Sequence, residues 1–233
     1  MKVIPSRRKH FMRKLIDFFV KTGKLKDIPR RGWVLRGIKN PGSISDHLFR
    51  VAMMAWILGR EKKDNLSIAK VIKIALVHDL CELYAGDTTP YDKKNILPED
   101  KRKWPEILDK WPRFSKEEKK QLAGEKHQKE EKGLDKIIED LPLESRNEIK
   151  GLWLEYEAGL TAESRFVKQI NRLETLLQAL EYGKEDNQQP SRSWWIEAKE
   201  IIDDPSLVSF MEALDKSFHF FEEDDAREPV VIN

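Results

Sequence analysis

A single cysteine, Cys81, stands in 233 residues. No internal disulfide can form, and a reducing, cytoplasmic setting is the expected one. Long apolar runs are missing too: none approaches the roughly 20 residues of a membrane-spanning helix, so no membrane partner is expected. The basic stretch Met1–His10 is not followed by an apolar core with a small-residue cleavage site, so no secretory leader is expected. Charge of one sign is scarce. Against 43 Lys and Arg stand 41 Asp and Glu, a net charge of +2, which gives no electrostatic reason to expect a nucleic-acid partner. Strand-like alternation, internal repeats and a glycine-rich phosphate loop are also lacking. What remains is a chain with 39% hydrophobic and 36% charged residues, rich enough in apolar groups to build a core.

The apolar residues recur at helical spacing, and the expected class is all-α. Phe11, Leu15, Phe18 and Phe19 predict a helix over 10–21, ended by Thr22-Gly23. The segment from Asp27 to Trp33 reads as a loop. Its two arginines beside a tryptophan can hold a phosphate and stack on a base, or can form an ordinary surface loop with a hydrophobic anchor. Ser43, Ser45 and Asp46 provide N-cap chemistry for a helix that buries Leu48, Val51, Ala52, Ala55 and Leu58. His47 lies in its first turn. Residues 65–78 predict a central, mostly buried helix. Loops with a short helix near 99–110 come next, then a long charged helix over 115–139 with sparse apolar positions, in which Gly124 and Gly133 weaken the case for continuity. Its Lys and Glu runs read as a solvated face. Helices over 144–158 and 161–182 follow, the latter with Asn171 at the edge of its stripe. A helix carrying Trp194, Trp195 and Ile201 and a last one after Asp204-Pro205 close the pattern, before a charged tail over 222–233.

The most informative stretch is Ile74-Ala-Leu-Val-His78-Asp79-Leu-Cys-Glu82-Leu-Tyr-Ala-Gly86-Asp87. An apolar run there delivers four ionisable groups, which need partners if buried. Neighbouring helical positions diverge by about 100°, so His78 and Asp79 can serve one site only where several helices meet. Glu82 shares their face if the helix continues.

The order His47, His78-Asp79 and a polar residue on a late apolar helix resembles the HD-domain metal-dependent phosphohydrolases. Further motifs are similar to the 5′-deoxynucleotidase branch: Arg31-Gly-Trp33-Val-Leu-Arg36, Ser43-Ile-Ser-Asp-His47, Ala75-Leu-Val-His-Asp-Leu-Cys-Glu82, Gly86-Asp87, Glu155-Tyr156-Glu157 and Phe166-Val-Lys-Gln-Ile-Asn171. The resemblance spans roughly residues 10–183 as an HD domain. It leaves 1–9 as a tail, 184–221 as C-terminal helices packed on the domain, and an insertion near 92–120. It implies removal of phosphate from (deoxy)nucleoside 5′-monophosphates and one divalent transition-metal ion (Mn, Co, Fe or Zn) on His47, His78, Asp79 and the residue at 171. It implies catalytic carboxylates at Glu82 and Asp87, a phosphate-binding arginine at Arg31, a substrate wall beginning at Trp33, and a homodimer. Glu82 would act on the attacking water and Asp87 on the leaving 5′-oxygen, or the two would exchange these roles.

Two departures stand out. The family's fourth ligand is an Asp, and here it is Asn171, whose carbonyl oxygen can coordinate without formal charge. The expected outcome is a weaker working site, with a nucleotide-binding protein that has lost turnover as the alternative. The 92–120 stretch, with Trp104, Pro105, Trp111 and Pro112, is long for the family and suits a lid, a dimer contact or a plain surface insertion. His10, His127 and His219 read as structural or surface residues, and Cys81 as a small buried one.

Overall fold

The computed structural model describes residues 6–62, 66–92, 97–109, 116–185 and 192–218, and the described residues form α-helices joined by short turns with no strand. Helix α1 (Ser6–Gly23) starts before the expected residue 10. A 3₁₀ turn, Lys24–Asp27, leads to α2 (Arg31–Leu35). The segment read as a loop is therefore partly helical, because burial of Trp33 and Leu35 folds it against the core. Helix α3 (Ile44–Glu61) begins at a capping box: Ser43 Oγ accepts from the Asp46 N–H while the Asp46 carboxylate accepts from the Ser43 N–H. Then come α4 (Ile68–Val77), α5 (Glu82–Ala85), α6 (Trp104–Asp109), α7 (Lys116–Ile138), α8 (Leu143–Ala158), α9 (Ala162–Glu185), α10 (Arg192–Ile201) and α11 (Pro205–Phe218). His219, Trp111, Pro112 and the tail over 222–233 lie outside the described residues.

Two apolar clusters hold these helices together. The larger joins α3, α4, α9, α10 and α11 through Val51, Ile74, Phe166, Leu173, Trp194 and Leu207. The smaller joins the chain near Leu25 to α3, α4, α7 and α8 through Ile44, Leu48, Val77, Leu134, Ile138 and Trp153. Both draw on α3 and α4, and the smaller also on the turn after α4, so His47 and His78 sit at the seam between them. The C-terminal helices α10 and α11 pack on α9 as part of the larger core.

Several expectations change. Of the four apolar residues expected inward on α1, Leu15 and Phe18 reach the core, whereas Phe11 and Phe19 are exposed. Ile201 also faces outward. Helix α7 runs through both glycines. At Gly133 the reason is close approach: a Cβ there would lie 2.7 Å from the Cys81 carbonyl oxygen and 3.2 Å from the Ala85 nitrogen. The bare backbone lets α7 press against α5 and the turn before it.

Candidate metal centre and active site

Helix α4 ends at Val77, earlier than the sequence pattern suggests, and the next turn tightens. Leu80, Glu82 and Leu83 donate their N–H groups to the carbonyls of Val77, Asp79 and Leu80, three residues back. At three residues per turn, side chains at i and i+3 eclipse, so Asp79 and Glu82 face the same way. Gly86, with φ at +75°, then turns the chain so that Asp87 comes back toward the pair.

His47, His78 and Asp79 each offer a ligand atom, and these atoms lie within 4.8 Å of one another. The Asp79 Oδ2 atom is 3.6 Å from His47 Nε2 and 3.4 Å from His78 Nε2. Both rings are buried. The other nitrogen of each is already engaged: His47 Nδ1 is 2.6 Å from the Glu174 carboxylate, and His78 Nδ1 donates to the Ala75 carbonyl at 2.7 Å. That leaves both Nε2 atoms buried without a hydrogen-bond partner. Two orphaned nitrogens and a carboxylate converging on one point are what a divalent cation needs, and the set fits a mononuclear site with mixed nitrogen and oxygen ligands. Burial pushes the His78 imidazole down to about 4, with His47 and Arg30 adding to it. The ring is therefore neutral at physiological pH, the form that ligates.

Glu174 supports His47 from α9. Burial works against its charge, but His47 and Arg50 outweigh that, and Arg50 Nε donates to its second oxygen at 2.9 Å. Asp79 is likewise buried yet held below the usual carboxylate range, by His78, Arg30 and His47. Glu82 goes the other way. Burial and its neighbours Asp79 and Asp87 raise its pKa well above the ordinary value, and Arg30 only partly offsets them.

Arg30, one of the two arginines read beside Trp33 but not the one the resemblance assigned to phosphate, occupies the middle of these acids. Its Nη1 lies 3.1 Å from Asp79, 4.0 Å from Glu82 and 3.8 Å from Asp87. A short antiparallel pairing fixes it, in which the Arg30 N–H donates to Gly42 and the Ile44 N–H to Ile28. Arg31, the arginine singled out in the sequence, turns its guanidinium away to Asp92 at 2.7 Å and gives only its backbone N–H to Asp87, at 2.8 Å.

A cavity of about 390 Å³ opens over the centre and is lined by Arg30, Trp33, His78, Asp79, Glu82, Asp87 and Asn171 among others. Trp33 forms a firm wall: it is buried, donates to Gln178 at 2.7 Å and packs on Trp194 and Tyr182. Asn171 Nδ2 donates to the Tyr156 hydroxyl at 2.7 Å, and the Tyr156 ring lies 4.9 Å from that of His78. An amide that donates through nitrogen keeps its carbonyl oxygen for an acceptor role. Lys126 and Glu130 from α7 also line the cavity, in a helix the sequence reading gave to solvent. His127 stands beside them but pairs with Glu157 and stacks on Trp153, as a structural residue would. His10 is exposed. Cys81 is buried and its thiol is pushed up by burial, then by Glu130 and Asp79, so it is no nucleophile.

Comparison with known proteins gives the family. The family model of the HD domain matches residues 22–204. Among curated relatives, human 5′-deoxynucleotidase HDDC2 is 36% identical over 74% of this chain and 70% of its own length. The Dictyostelium discoideum protein of the same name is 38% identical over 76% and 82%. Schizosaccharomyces pombe 5′-deoxynucleotidase hdd1 is 31% identical over 84% and 86%. Among solved structures, a conserved hypothetical protein from Pyrococcus furiosus superposes with a TM-score of 0.60 at 28% identity, covering 86% of this chain and 99% of its own. A predicted metal-dependent phosphohydrolase from Magnetospirillum magnetotacticum MS-1 gives 0.64 at 24% identity over 93% and 96%, which speaks for the fold alone.

Proposed function

The chain belongs to the HD-domain 5′-deoxynucleotidase family, and from that premise we propose that it removes phosphate from deoxynucleoside 5′-monophosphates. The observation that carries the reading is the convergence of two orphaned imidazole nitrogens and Asp79 beneath a cavity that also holds Arg30, Glu82 and Asp87. His47, His78 and Asp79 would hold a divalent transition metal ion (Mn, Co, Fe or Zn), with the Asn171 carbonyl as a fourth ligand. Such an ion supplies Lewis acidity toward the phosphate and lowers the pKa of water.

The chain's own residues supply the remainder. Arg30, in place of Arg31, faces the phosphate and balances the acids around it. Trp33 bounds the substrate side. Glu82 holds its proton more tightly than an ordinary carboxylic acid, which suits it to protonate the leaving 5′-oxygen. Asp87, held by the Arg31 N–H and beside Arg30, takes the proton of the attacking water. Of the two assignments that the resemblance left open for Glu82 and Asp87, this is the exchanged one.

A homodimer belongs to the same proposal. Helices α1 and α3 carry outward apolar stripes at the same spacing, Met12, Ile16, Phe19 and Val20 on one, Phe49, Met53, Trp56 and Ile57 on the other. Such stripes favour a protein partner over water. A cytoplasmic location is supported by the unpaired Cys81. No described helix is long and apolar enough to cross a membrane.

The test is phosphate release from each deoxynucleoside monophosphate by the Mn- or Co-loaded protein. Release with a preference for deoxyribose supports the reading; none, from folded and metal-loaded protein, ends it. The alternative of a pocket without turnover gains no support from the relatives, which are named as nucleotidases.

A further inference from the structure

A phosphate monoester brings between one and two negative charges, and Arg30 is already surrounded by three carboxylates. The cavity wall carries two lysines, Lys126 and Lys168. Lys168 places its ammonium 4.6 Å over the Tyr156 ring, and burial lowers its pKa. Lys126 differs. Its side chain is 46% exposed and open to an incoming ligand, and its Nζ lies 3.3 Å from Oε1 of Glu130, one turn along α7. Burial opposes its charge, but Glu130, Asp79 and Glu82 together overcome this and raise its pKa. Its ammonium therefore lies within the electrostatic reach of the two acids at the reaction centre.

An i,i+4 Lys–Glu pair on a helix is commonly a surface pair of little consequence. Here the acid is the buried member, with a side chain only 7% exposed, and both residues line the cavity. Glu130 can thus hold the amine in place while two of its three N–H donors stay available.

We propose that Lys126 is a phosphate-binding residue: its ammonium donates to an oxygen of the substrate phosphate, and Glu130 is its positioning residue. This rests on the phosphomonoester reading above and adds a cation contributed by α7, beside the centre built from α2, α3 and the turn after α4. Lysine meets phosphate as a compact point charge with freely turning donors, which suits a group that shifts as the ester is cleaved.

The experiment compares wild type, Lys126→Met and Lys126→Arg as full-length, Mn-loaded protein. Binding of inorganic phosphate is read by calorimetry, alongside Mn affinity and kcat/KM on a deoxynucleoside monophosphate. Lys126→Met is expected to weaken phosphate binding and lower kcat/KM by about 10- to 100-fold, the usual weight of a charge-assisted hydrogen bond. Lys126→Arg should recover most of both, with Mn affinity unchanged throughout. Unchanged phosphate affinity in Lys126→Met overturns the proposal, as does a matching loss of Mn affinity or a wild type that binds no phosphate. Should Lys126→Met fail to fold, Lys126→Gln takes its place in the same comparison. A wild type that releases no phosphate from any deoxynucleotide defeats the hydrolase reading, while the phosphate titration still decides Lys126.

Discussion

His47 Nδ1 lies 2.6 Å from Glu174 Oε2, across 127 residues of chain, with both side chains buried. The carboxylate fixes which ring nitrogen carries the proton and leaves Nε2 as a lone-pair donor facing Asp79. Arg50 holds the other carboxylate oxygen. Replacing Glu174 by Gln keeps the shape and removes the charge that makes the imidazole a better ligand. Metal affinity is expected to fall by about 10-fold or more, the typical loss for a group that supports a ligating histidine, with helix content unchanged. Calorimetric titration with Mn reads this directly, and an unaltered affinity would remove Glu174 from the centre.

Asn171 offers the complementary gain. Its Nδ2 donates to the Tyr156 hydroxyl, and Asp at this position would accept from that hydroxyl instead, so the contact survives. A formal negative charge would then stand where a neutral amide does now. Asn171→Asp is expected to tighten metal binding by at least about 10-fold and to raise turnover at limiting metal. Equal affinity in the two proteins would place residue 171 outside the coordination shell.

How far the centre could be read from sequence depended on whether chemistry or packing chose the residue. His47, His78 and Asp79 were legible because ligand residue types recur in a fixed order, and the all-α class because apolar residues repeat every three to four positions. The choice between Arg30 and Arg31 was not legible. Two arginines stand side by side, and only the backbone pairing of 28–30 with 42–44 decides which guanidinium turns inward. Glu174 left a faint signal, an acid inside the apolar stripe between Leu173 and Leu176, both buried. Lys126 and Glu130 left none, since charged residues on a charged helix look like a solvated face. On α1 the periodicity identified a helix but could not say that Phe19 would stay exposed.

The crossing of α7 over the turn after α4 makes Gly133 a sensitive position. A methyl group there meets the Cys81 carbonyl at 2.7 Å, and backbone cannot step aside as a side chain can. Gly133→Ala should cost about 1–3 kcal/mol in thermal or denaturant unfolding. It should also lower activity, because the displaced segment carries Glu82. The control is Gly124→Ala, in the same helix with open space around it, where up to about 1 kcal/mol of stabilisation is expected from helix propensity. Similar effects at the two glycines would mean the close approach has no energetic weight.

Glu82 makes a prediction about pH in the metal-free protein. Its folded pKa is raised well above the ordinary 4.5, first by burial and then by Asp79 and Asp87. Between 4.5 and that raised value the native state keeps a proton that the unfolded chain has released, so this group's contribution to stability falls as pH rises. His78 acts in the opposite sense. Its folded pKa is pushed down to about 4, so from there to the ordinary 6.5 the unfolded chain holds the extra proton and stability rises with pH. Absolute melting curves mix the two, whereas the difference between wild type and Glu82→Gln retains only the Glu82 contribution. The variant is therefore expected to gain on wild type steadily as pH increases above 4.5, measured as the gap in Tm with a chelator present. Adding Mn should narrow the gap, because a bound cation favours the ionised carboxylate. A gap that stays flat with pH in the chelated protein would show that Glu82 ionises like an exposed acid, and the proton-donor role assigned to it would fail with that result.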